Sequence, residues 1–463
     1  MTTRLAAGAL LLMLCGCYGP EPEAPHPNVP DDGALLRLDA DSVAVGFMQS
    51  HQFVLSRTDS AGHSFPSPRI KWTSRNPRLV SVTDSGTVTA IGIGRTWVVV
   101  SDDVHADSAI VVAWTRYRAI QAGGDFTCAL AATGQALCWG WNANGSLGSG
   151  DTITRVLPVA VTGFTLFDSI ATGAGTTCGL VTGILQCWGY NGVGQLADGT
   201  VRQRTDPVVV SDTLAWTRLS LGAGATPCAF QSGRTLCWGW NGYGQLLNGT
   251  VANSRRPVLL EAGFPLVAVA PGGGHVCGLD GAGAAWCWGR NDRGQLGDGT
   301  TSDRTLAALV PGAPAFVAIA TGVAHTCART SSGQIWCWGD NTYGQLGSAG
   351  GDHSPTPALA AGGRLFEALT TTGYHTCALS GGAAWCWGDN TYGELGRGGG
   401  ISTGDPAPVV GGLAFTSISA STTHTCGIAT DGLAWCWGAN FYGSIGDGTR
   451  IDRGSPTRIA YQQ

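Results

Sequence analysis

The sequence of 463 residues is poor in charge, since Asp, Glu, Lys and Arg make up 12% of it, about half the ~25% of an ordinary soluble domain. Lys71 is the single lysine, and there is no run of basic residues. Together with a net charge of −5, this argues against nucleic acid as a main partner. A hydrophobic content of 43% excludes a disordered chain.

Catalytic signatures are missing too. The sequence has no Gly-x-Ser-x-Gly elbow, no His-Glu-x-x-His motif and no phosphate-binding loop. Its few carboxylates stand mostly in Asp-Gly turns, as at Asp198, Asp298 and Asp447. These absences predict a protein that is not an enzyme and that holds neither a cofactor nor a metal.

The first 33 residues have the pattern of an export signal followed by a tether. Residues 1–16 combine Arg4 with an apolar run over 5–14 that is too short to span a bilayer. The sequence Leu14-Cys15-Gly16-Cys17 resembles a bacterial lipobox. The resemblance implies a lipoprotein whose mature chain begins at a lipidated Cys17, and ordinary secretion is the alternative. Five prolines between 20 and 30 make 17–33 a tether.

Residues 34–114 predict a small β-sandwich. Short β-rich runs occur at 36–38, 42–45, 53–55, 70–72, 80–82, 86–90, 96–100 and 109–112. The segments 70–77 and 80–94, with a Trp before a Ser-x-Asn-Pro turn and a following Gly-x-Val-x-Ala hairpin, resemble the group 2 bacterial Ig-like domain. That resemblance implies an Ig-like module acting as a spacer, with adhesion as the alternative.

Residues 115–463 repeat with a period of about 50 residues. Cys-Trp-Gly marks each repeat, and an earlier cysteine precedes it by 9 or 10 residues. In the unit that contains Cys337, we expect strands at 315–320, 325–328 and 334–338 and a fourth after Pro357. Four strands per unit are typical of a propeller blade, and no such unit could bury both of its faces alone.

The repeat motif resembles that of the regulator of chromosome condensation. Its clearest copy is the segment 287–300, with Cys-Trp-Gly-x-Asn followed by Gly-Gln-Leu-Gly-Asp-Gly-Thr. The resemblance implies an all-β fold, a seven-bladed β-propeller preceded by the small Ig-like β-sandwich. Some units depart from the motif, for example at Ala197 and at Leu247, and we expect these changes in turns to leave the fold intact.

The two cysteines of each repeat are expected on neighbouring antiparallel strands, close enough for a disulfide. Export to an oxidising compartment favours pairing, and free thiols or a metal site are the alternatives. The predicted disulfides are Cys128–Cys138, Cys178–Cys187, Cys228–Cys237, Cys277–Cys287, Cys327–Cys337, Cys377–Cys386 and Cys426–Cys436.

Four units carry a histidine two residues before the first cysteine and a tryptophan just before the second. The histidines are His275, His325, His375 and His424, and the tryptophans are Trp286, Trp336, Trp385 and Trp435. Strand alternation places the two side chains on opposite faces of a unit. We therefore expect the histidine of one blade to pack on the tryptophan of its neighbour.

Function is expected in the loops, because propeller blades serve as a scaffold. The position after Cys-Trp-Gly varies around the ring, and its Trp141, Tyr190, Trp240 and Arg290 are the candidate ligand-binding residues. Packing against neighbouring blades is the alternative for these side chains, and for Tyr243, Tyr343, Tyr392 and Tyr442 it is the favoured interpretation. The predicted protein is a monomeric binding scaffold for a protein or glycan, lipid-anchored in the bacterial cell envelope at the outer membrane or cell surface. The alternative is a propeller enzyme acting on extracellular polysaccharide.

Overall fold

The computed structural model describes residues 35–58, 63–64, 69–102, 105–210, 215–348 and 350–462. The predicted signal sequence, Cys15, Cys17 and the whole of the tether at 17–33 lie outside these residues. The described residues form two compact units, one ending at residue 112 and the other covering 92–94 and everything from 113 onward.

The first unit consists of short strands in three sheets, with the orders β1-β4, β2-β9-β8-β5 and β3-β7-β6. The strands are β1 (Leu35–Leu38), β2 (Ser42–Gly46), β3 (Ser50–Gln52), β4 (Leu55–Thr58), β5 (Lys71–Ser74), β6 (Val80–Val82), β7 (Thr87–Ala90), β8 (Gly94–Ser101) and β9 (Ala106–Trp114). The run expected at 53–55 is not one strand. Phe53 is 2% exposed and lies between β3 and β4.

The second unit contains seven four-stranded antiparallel sheets, each built from four consecutive strands. The first four sheets are β10 (Tyr117–Ala122), β11 (Phe126–Ala131), β12 (Ala136–Gly140), β13 (Arg155–Ala160); β14 (Ser169–Thr172), β15 (Thr176–Val181), β16 (Ile184–Gly189), β17 (Arg204–Val209); β18 (Trp216–Ser220), β19 (Cys228–Gln231), β20 (Arg234–Gly239), β21 (Ser254–Leu259); and β22 (Leu266–Pro271), β23 (His275–Asp280), β24 (Ala285–Gly289), β25 (Arg304–Leu309).

The other three sheets are β26 (Phe316–Thr321), β27 (His325–Thr330), β28 (Ile335–Asp340), β29 (His353–Leu359); β30 (Ala368–Thr371), β31 (His375–Ser380), β32 (Ala383–Gly388), β33 (Thr403–Pro408); and β34 (Phe415–Ala420), β35 (His424–Ala429), β36 (Ala434–Gly438), β37 (Arg453–Arg458). Two 3-10 turns lie at Thr162–Phe164 and Ala361–Gly363. The strand expected after Pro357 begins earlier, at His353, because an outer edge strand tolerates the missing N–H groups of proline.

The seven sheets contact one another in a closed sequence. The first strand of each sheet lies beside the first strand of the next, and β34 of the seventh sheet lies beside β10 of the first. The core sits between sheets: in one such layer Leu279 and Cys287 of the fourth sheet pack on Phe316 and Trp338 of the fifth. The hydrophobic face of every sheet is thus covered by its neighbour.

The tryptophan of Cys-Trp-Gly joins each sheet to the preceding one. All seven indoles are fully buried, and each Nε1 donates a hydrogen bond of 2.8 to 3.0 Å to a backbone carbonyl in the loop of the preceding sheet. The pairs are Trp139–Ser444, Trp188–Ser146, Trp238–Gln195, Trp288–Gln245, Trp338–Gln295, Trp387–Gln345 and Trp437–Glu394. The motif therefore fixes the joints between sheets.

The structure contains all seven disulfides, each linking the second and third strands of one sheet. The paired cysteines stand directly opposite each other in register, and their Cα atoms are 4.1 to 4.2 Å apart. This is near the ~4.5 Å of a close antiparallel pair. Every one of these cysteines is fully buried.

Candidate functional site

The loop after each Cys-Trp-Gly is held rigid by its asparagine. In the fourth sheet, Asn291 Oδ1 accepts a hydrogen bond from the Leu296 N–H, and Asn291 Nδ2 donates to the carbonyls of Thr300 and Ser302. The bond from the leucine or isoleucine N–H recurs in all seven loops. A side chain carried by such a loop is held in place before any ligand arrives.

Two positions of this loop form the surface that we call the loop face. The cap residue directly follows Cys-Trp-Gly, and the seven are Trp141, Tyr190, Trp240, Arg290, Asp340, Asp389 and Ala439. The rim residue stands three positions later, and the seven are Asn144, Val193, Tyr243, Arg293, Tyr343, Tyr392 and Tyr442.

The rim residue of one sheet lies beside the cap residue of the next. Three pairs show this directly. The guanidinium of Arg290 lies 5.9 Å from the ring centre of Tyr243, and Arg293 Nε lies 4.0 Å from Asp340 Oδ1. The rings of Tyr442 and Trp141 are 6.5 Å apart, across the joint between the seventh and first sheets.

The structure brings the four predicted ligand-binding residues together in two groups. Trp141 and Tyr190 both border Gly175, where an added Cβ would lie 3.9 Å and 3.3 Å from them. The rings of Trp240 and Tyr243 are 5.5 Å apart, and Tyr243 also contacts Arg290. Each of the four side chains is half-buried, so packing on neighbours and presentation to solvent coexist.

Several aromatic side chains on the loop face or in the loops beside it were not predicted, or were taken as packing residues; we count Phe441, which adjoins Tyr442, with the loop face. Tyr343, Tyr392, Phe441 and Tyr442 are 38% to 49% exposed. The rings of Tyr392 and Phe441 are 5.1 Å apart, and those of Tyr343 and Tyr374 are 5.7 Å apart. Phe441 and Tyr374 occur in one repeat each, which is why the periodic pattern did not single them out.

The loop of the sixth sheet carries two carboxyl groups, Asp389 and Glu394, whose charges interact. Glu394 stands where four other loops have Gln, and its side chain is 1% exposed. Burial, with smaller contributions from the charges of Asp389 and Asp452, raises the pKa of Glu394 to about 7. Its Oε2 accepts a hydrogen bond from the Tyr392 N–H, and its Oε1 is buried without a partner.

The expectation that the four histidines pack on neighbouring tryptophans was wrong. Each histidine is fully buried, and its Nε2 bonds a threonine of the next sheet at 2.8 to 3.0 Å. Within the fifth sheet, Thr326 pairs with Trp338, whereas Trp336 pairs with Ala328, two residues further along the strand. The histidine of the preceding sheet therefore lies level with the threonine and not with Trp336. Burial lowers the pKa of these histidines to about 3 or 4, so they are neutral.

Within the described residues, no group of three or more His, Cys, Asp or Glu side chains is placed to hold a metal ion. No helix there has the length and apolar character needed to cross a membrane.

The repeats match two family models, both described as the regulator of chromosome condensation (RCC1) repeat. One covers more than half of the chain, at residues 133–180, 232–279, 282–329, 332–379 and 381–428. The other matches 117–146, 266–295, 316–345 and 415–444. No curated protein matches the chain in sequence.

Among solved structures, the chain is similar to yeast RCC1 (Prp20) bound to Kap60, with 21% identity, a TM-score of 0.63 and coverage of 74% of this chain and 85% of that one. It is also similar to human WBSCR16, with 20% identity, a TM-score of 0.62 and coverage of 70% and 93%. A separate structure of Prp20p from Saccharomyces cerevisiae is similar at 21% identity and a TM-score of 0.61, with coverage of 74% of this chain and 87% of that one. At these identities the likeness establishes the fold alone, an all-β arrangement of repeated four-stranded sheets like that of RCC1 propellers. The chain belongs to the RCC1 repeat family.

Proposed function

We propose that this protein is a non-catalytic binding scaffold, a seven-bladed β-propeller that presents its loop face to a protein or glycan. The observation that carries the proposal is the set of exposed aromatic side chains on rigid loops, with Tyr392, Phe441 and Tyr442 38% to 49% exposed. Aromatic residues in such positions are typical of binding surfaces. Prp20p, a similar fold, is described as binding Gsp1p and histones, which favours a protein as the ligand.

The proposal extends to the rest of the chain. Residues 1–16 would direct export, and Cys17 would carry the lipid at the outer membrane or cell surface. Residues 17–33 would form a tether, 34–114 an Ig-like spacer and 115–463 a propeller. We propose a monomer that uses neither a cofactor nor nucleic acid.

The alternative, an enzyme that acts on polysaccharide, needs two carboxyl groups converging in an open cleft. Asp389 and Glu394 are two carboxyl groups whose charges interact, and the raised pKa of Glu394 would suit a general acid. Glu394 is only 1% exposed, however, so its carboxyl group does not face an open cleft. The observations therefore favour binding.

Capture from envelope and extracellular material tests the proposal. The bait is the chain carrying Cys17→Ser, which releases it from the lipid. We expect Trp141→Ala and Tyr442→Ala to abolish capture of the ligand. The matched control is Leu365→Ala, since Leu365 is 55% exposed and precedes the first strand of its sheet, at the end opposite the loop face. Equal capture by all variants would contradict the proposal.

A further inference from the structure

Asp340 and Asp389 occupy the same position in neighbouring sheets but have different neighbours. Asp340 is the cap residue of the fifth sheet, and the guanidinium of Arg293, the rim residue before it, lies 4.0 Å from its Oδ1. Asp389 is the cap residue of the sixth sheet, and the rim residue before it is Tyr343. The sixth sheet therefore has an aromatic ring where the fifth has a cation.

Two tyrosine rings lie at the joint between the fifth and sixth sheets. The Asp389 N–H donates a hydrogen bond of 3.0 Å to the carbonyl oxygen of Tyr374, and the Tyr374 ring lies 5.7 Å from that of Tyr343 in an edge-to-face arrangement. In the fifth sheet the counterpart of Tyr374 is Ala324, which accepts the same backbone bond from Asp340. Asp389, which has no arginine beside it, therefore adjoins a tyrosine at the position where Asp340, which has Arg293, adjoins an alanine.

The carboxylate of Asp389 is available to a ligand. Its Oδ1 accepts hydrogen bonds from Thr391 and Ser402, whereas its Oδ2 accepts none from the described part of the chain and is not enclosed. No Lys, Arg or His of the described ranges forms an ion pair with Asp389 or Glu394, in contrast to the arginine contacts of Asp292, Asp340 and Asp352. Within the described ranges, the charge of Asp389 is therefore not balanced by an ion pair.

We propose that Asp389, Tyr343 and Tyr374 form a socket for an arginine side chain presented by a protein partner. The guanidinium takes the place that Arg293 holds beside Asp340, pairing with the Asp389 carboxylate and lying against the tyrosine rings. Guanidinium suits such a site because it is weakly hydrated and stacks on aromatic faces while it bonds a carboxylate. The inference rests on the proposed function, because it names the chemistry by which the loop face recognises its partner.

The test uses the whole chain and ligand-observed NMR saturation transfer, with N-acetyl-arginine methylamide as the probe. The citrulline analogue has nearly the same shape without the charge. We expect the arginine probe to bind at millimolar concentration, about tenfold more tightly than citrulline. Asp389→Asn should reduce its affinity by about tenfold.

A second pair of variants separates the socket from general changes of the surface. Tyr343→Arg supplies the missing cation from within the chain, as Arg293 does, and should block the probe while the thermal unfolding temperature is retained or raised. Leu365→Arg adds the same charge at the end of the sheet opposite the loop face, where Leu365 is 55% exposed, and should leave binding unchanged.

Equal binding of arginine and citrulline, or unchanged binding to Asp389→Asn and Tyr343→Arg, would overturn the socket. Failure of the socket and failure of the proposed function are distinguishable. If ligand capture depends on Trp141 and Tyr442 but not on Asp389, the loop face binds its ligand and the arginine assignment is wrong. If the arginine probe binds as expected but Trp141→Ala captures the ligand normally, the socket is supported and the proposal that the aromatic surface binds the ligand is wrong.

Discussion

The indole Nε1 of Trp139 donates a 2.8 Å hydrogen bond to the carbonyl oxygen of Ser444, across 305 residues of sequence. This contact joins the first sheet to the loop of the seventh, and it is the same contact that joins every other pair of consecutive sheets. Ser444 and Ser146 replace the usual Gln or Glu in two loops without loss, because the acceptor belongs to the backbone.

Removing this indole N–H should destabilise the protein. We expect Trp139→Phe and Trp338→Phe each to lower the free energy of unfolding by about 2 kcal/mol, through the lost hydrogen bond and the space left by the smaller ring. The control is Trp336→Phe, since the Trp336 Nε1 is buried without a partner and its loss removes no bond. Chemical denaturation measures all three. A larger cost at Trp336 than at Trp338 would contradict this role of the indole.

Gly297 leaves room for the indole of Trp338, whereas the nearby Gly299 contacts no such group. Both have positive φ, but a Cβ at Gly297 would lie 2.7 Å from Trp338 Nε1, whereas a Cβ at Gly299 would meet nothing within 4 Å. We expect Gly299→Ala to cost about 1 kcal/mol from backbone strain and Gly297→Ala to cost at least about 2 kcal/mol. Thermal and urea unfolding provide the comparison, and equal costs would show that the indole contact is unimportant.

Glu394 should make stability depend on pH. Its pKa is raised to about 7 in the folded protein, so the folded state holds a proton that the unfolded chain loses near pH 4.5. The contribution of Glu394 to the free energy of unfolding is therefore fully present below about pH 4.5. It falls as pH rises through 7, by about 3 kcal/mol at most.

The variant Glu394→Gln removes this dependence. It should be more stable than the original chain by about 1 to 3 kcal/mol at pH 8 and nearly equal to it at pH 4, because a glutamine can donate to Asp389 as Gln345 Nε2 donates to Asp340 Oδ2. Denaturation at a series of pH values measures the difference. Gln345→Glu is the reciprocal control and should create a similar dependence in the fifth sheet; parallel pH profiles for all three chains would refute the assignment.

The lipid anchor is tested by metabolic labelling with a radioactive fatty acid in a bacterial host. We expect the chain to incorporate the label and Cys17→Ser to abolish it, while Cys15→Ser, two residues away, should retain it. Label that persists in Cys17→Ser would disprove the anchor.

The sequence contained the repeat, its cysteine pairs and the Cys-Trp-Gly markers, because these depend on spacing and strand alternation that recur seven times. It did not show that Thr326, rather than Trp336, meets His275, since that depends on the relative height of two neighbouring sheets. It also undervalued Ala197 and Leu247, which adopt positive φ of 55° and 45° where other repeats have glycine.

The candidate site was predicted less fully than the fold. Trp141, Tyr190, Trp240 and Arg290 do lie on the loop face, but the rule that a rim residue lies beside the next cap residue emerges only in three dimensions. That rule separates Asp340, which has Arg293, from Asp389, which has Tyr343. Glu394 was overlooked because replacing Gln by Glu in one repeat is a small change in sequence. In the structure, the same change places a carboxyl group in a buried position.

The claim that the loop face binds the ligand is tested most directly by hydroxyl-radical footprinting of the whole chain, free and bound to its captured ligand. The account predicts that oxidation of Trp141, Tyr190, Tyr392 and Phe441 falls when the ligand is bound, while Leu166 and Leu365, 54% and 55% exposed at the opposite end of their sheets, are oxidised as before. Protection of those leucines, with the aromatic residues of the loop face unchanged, would contradict it.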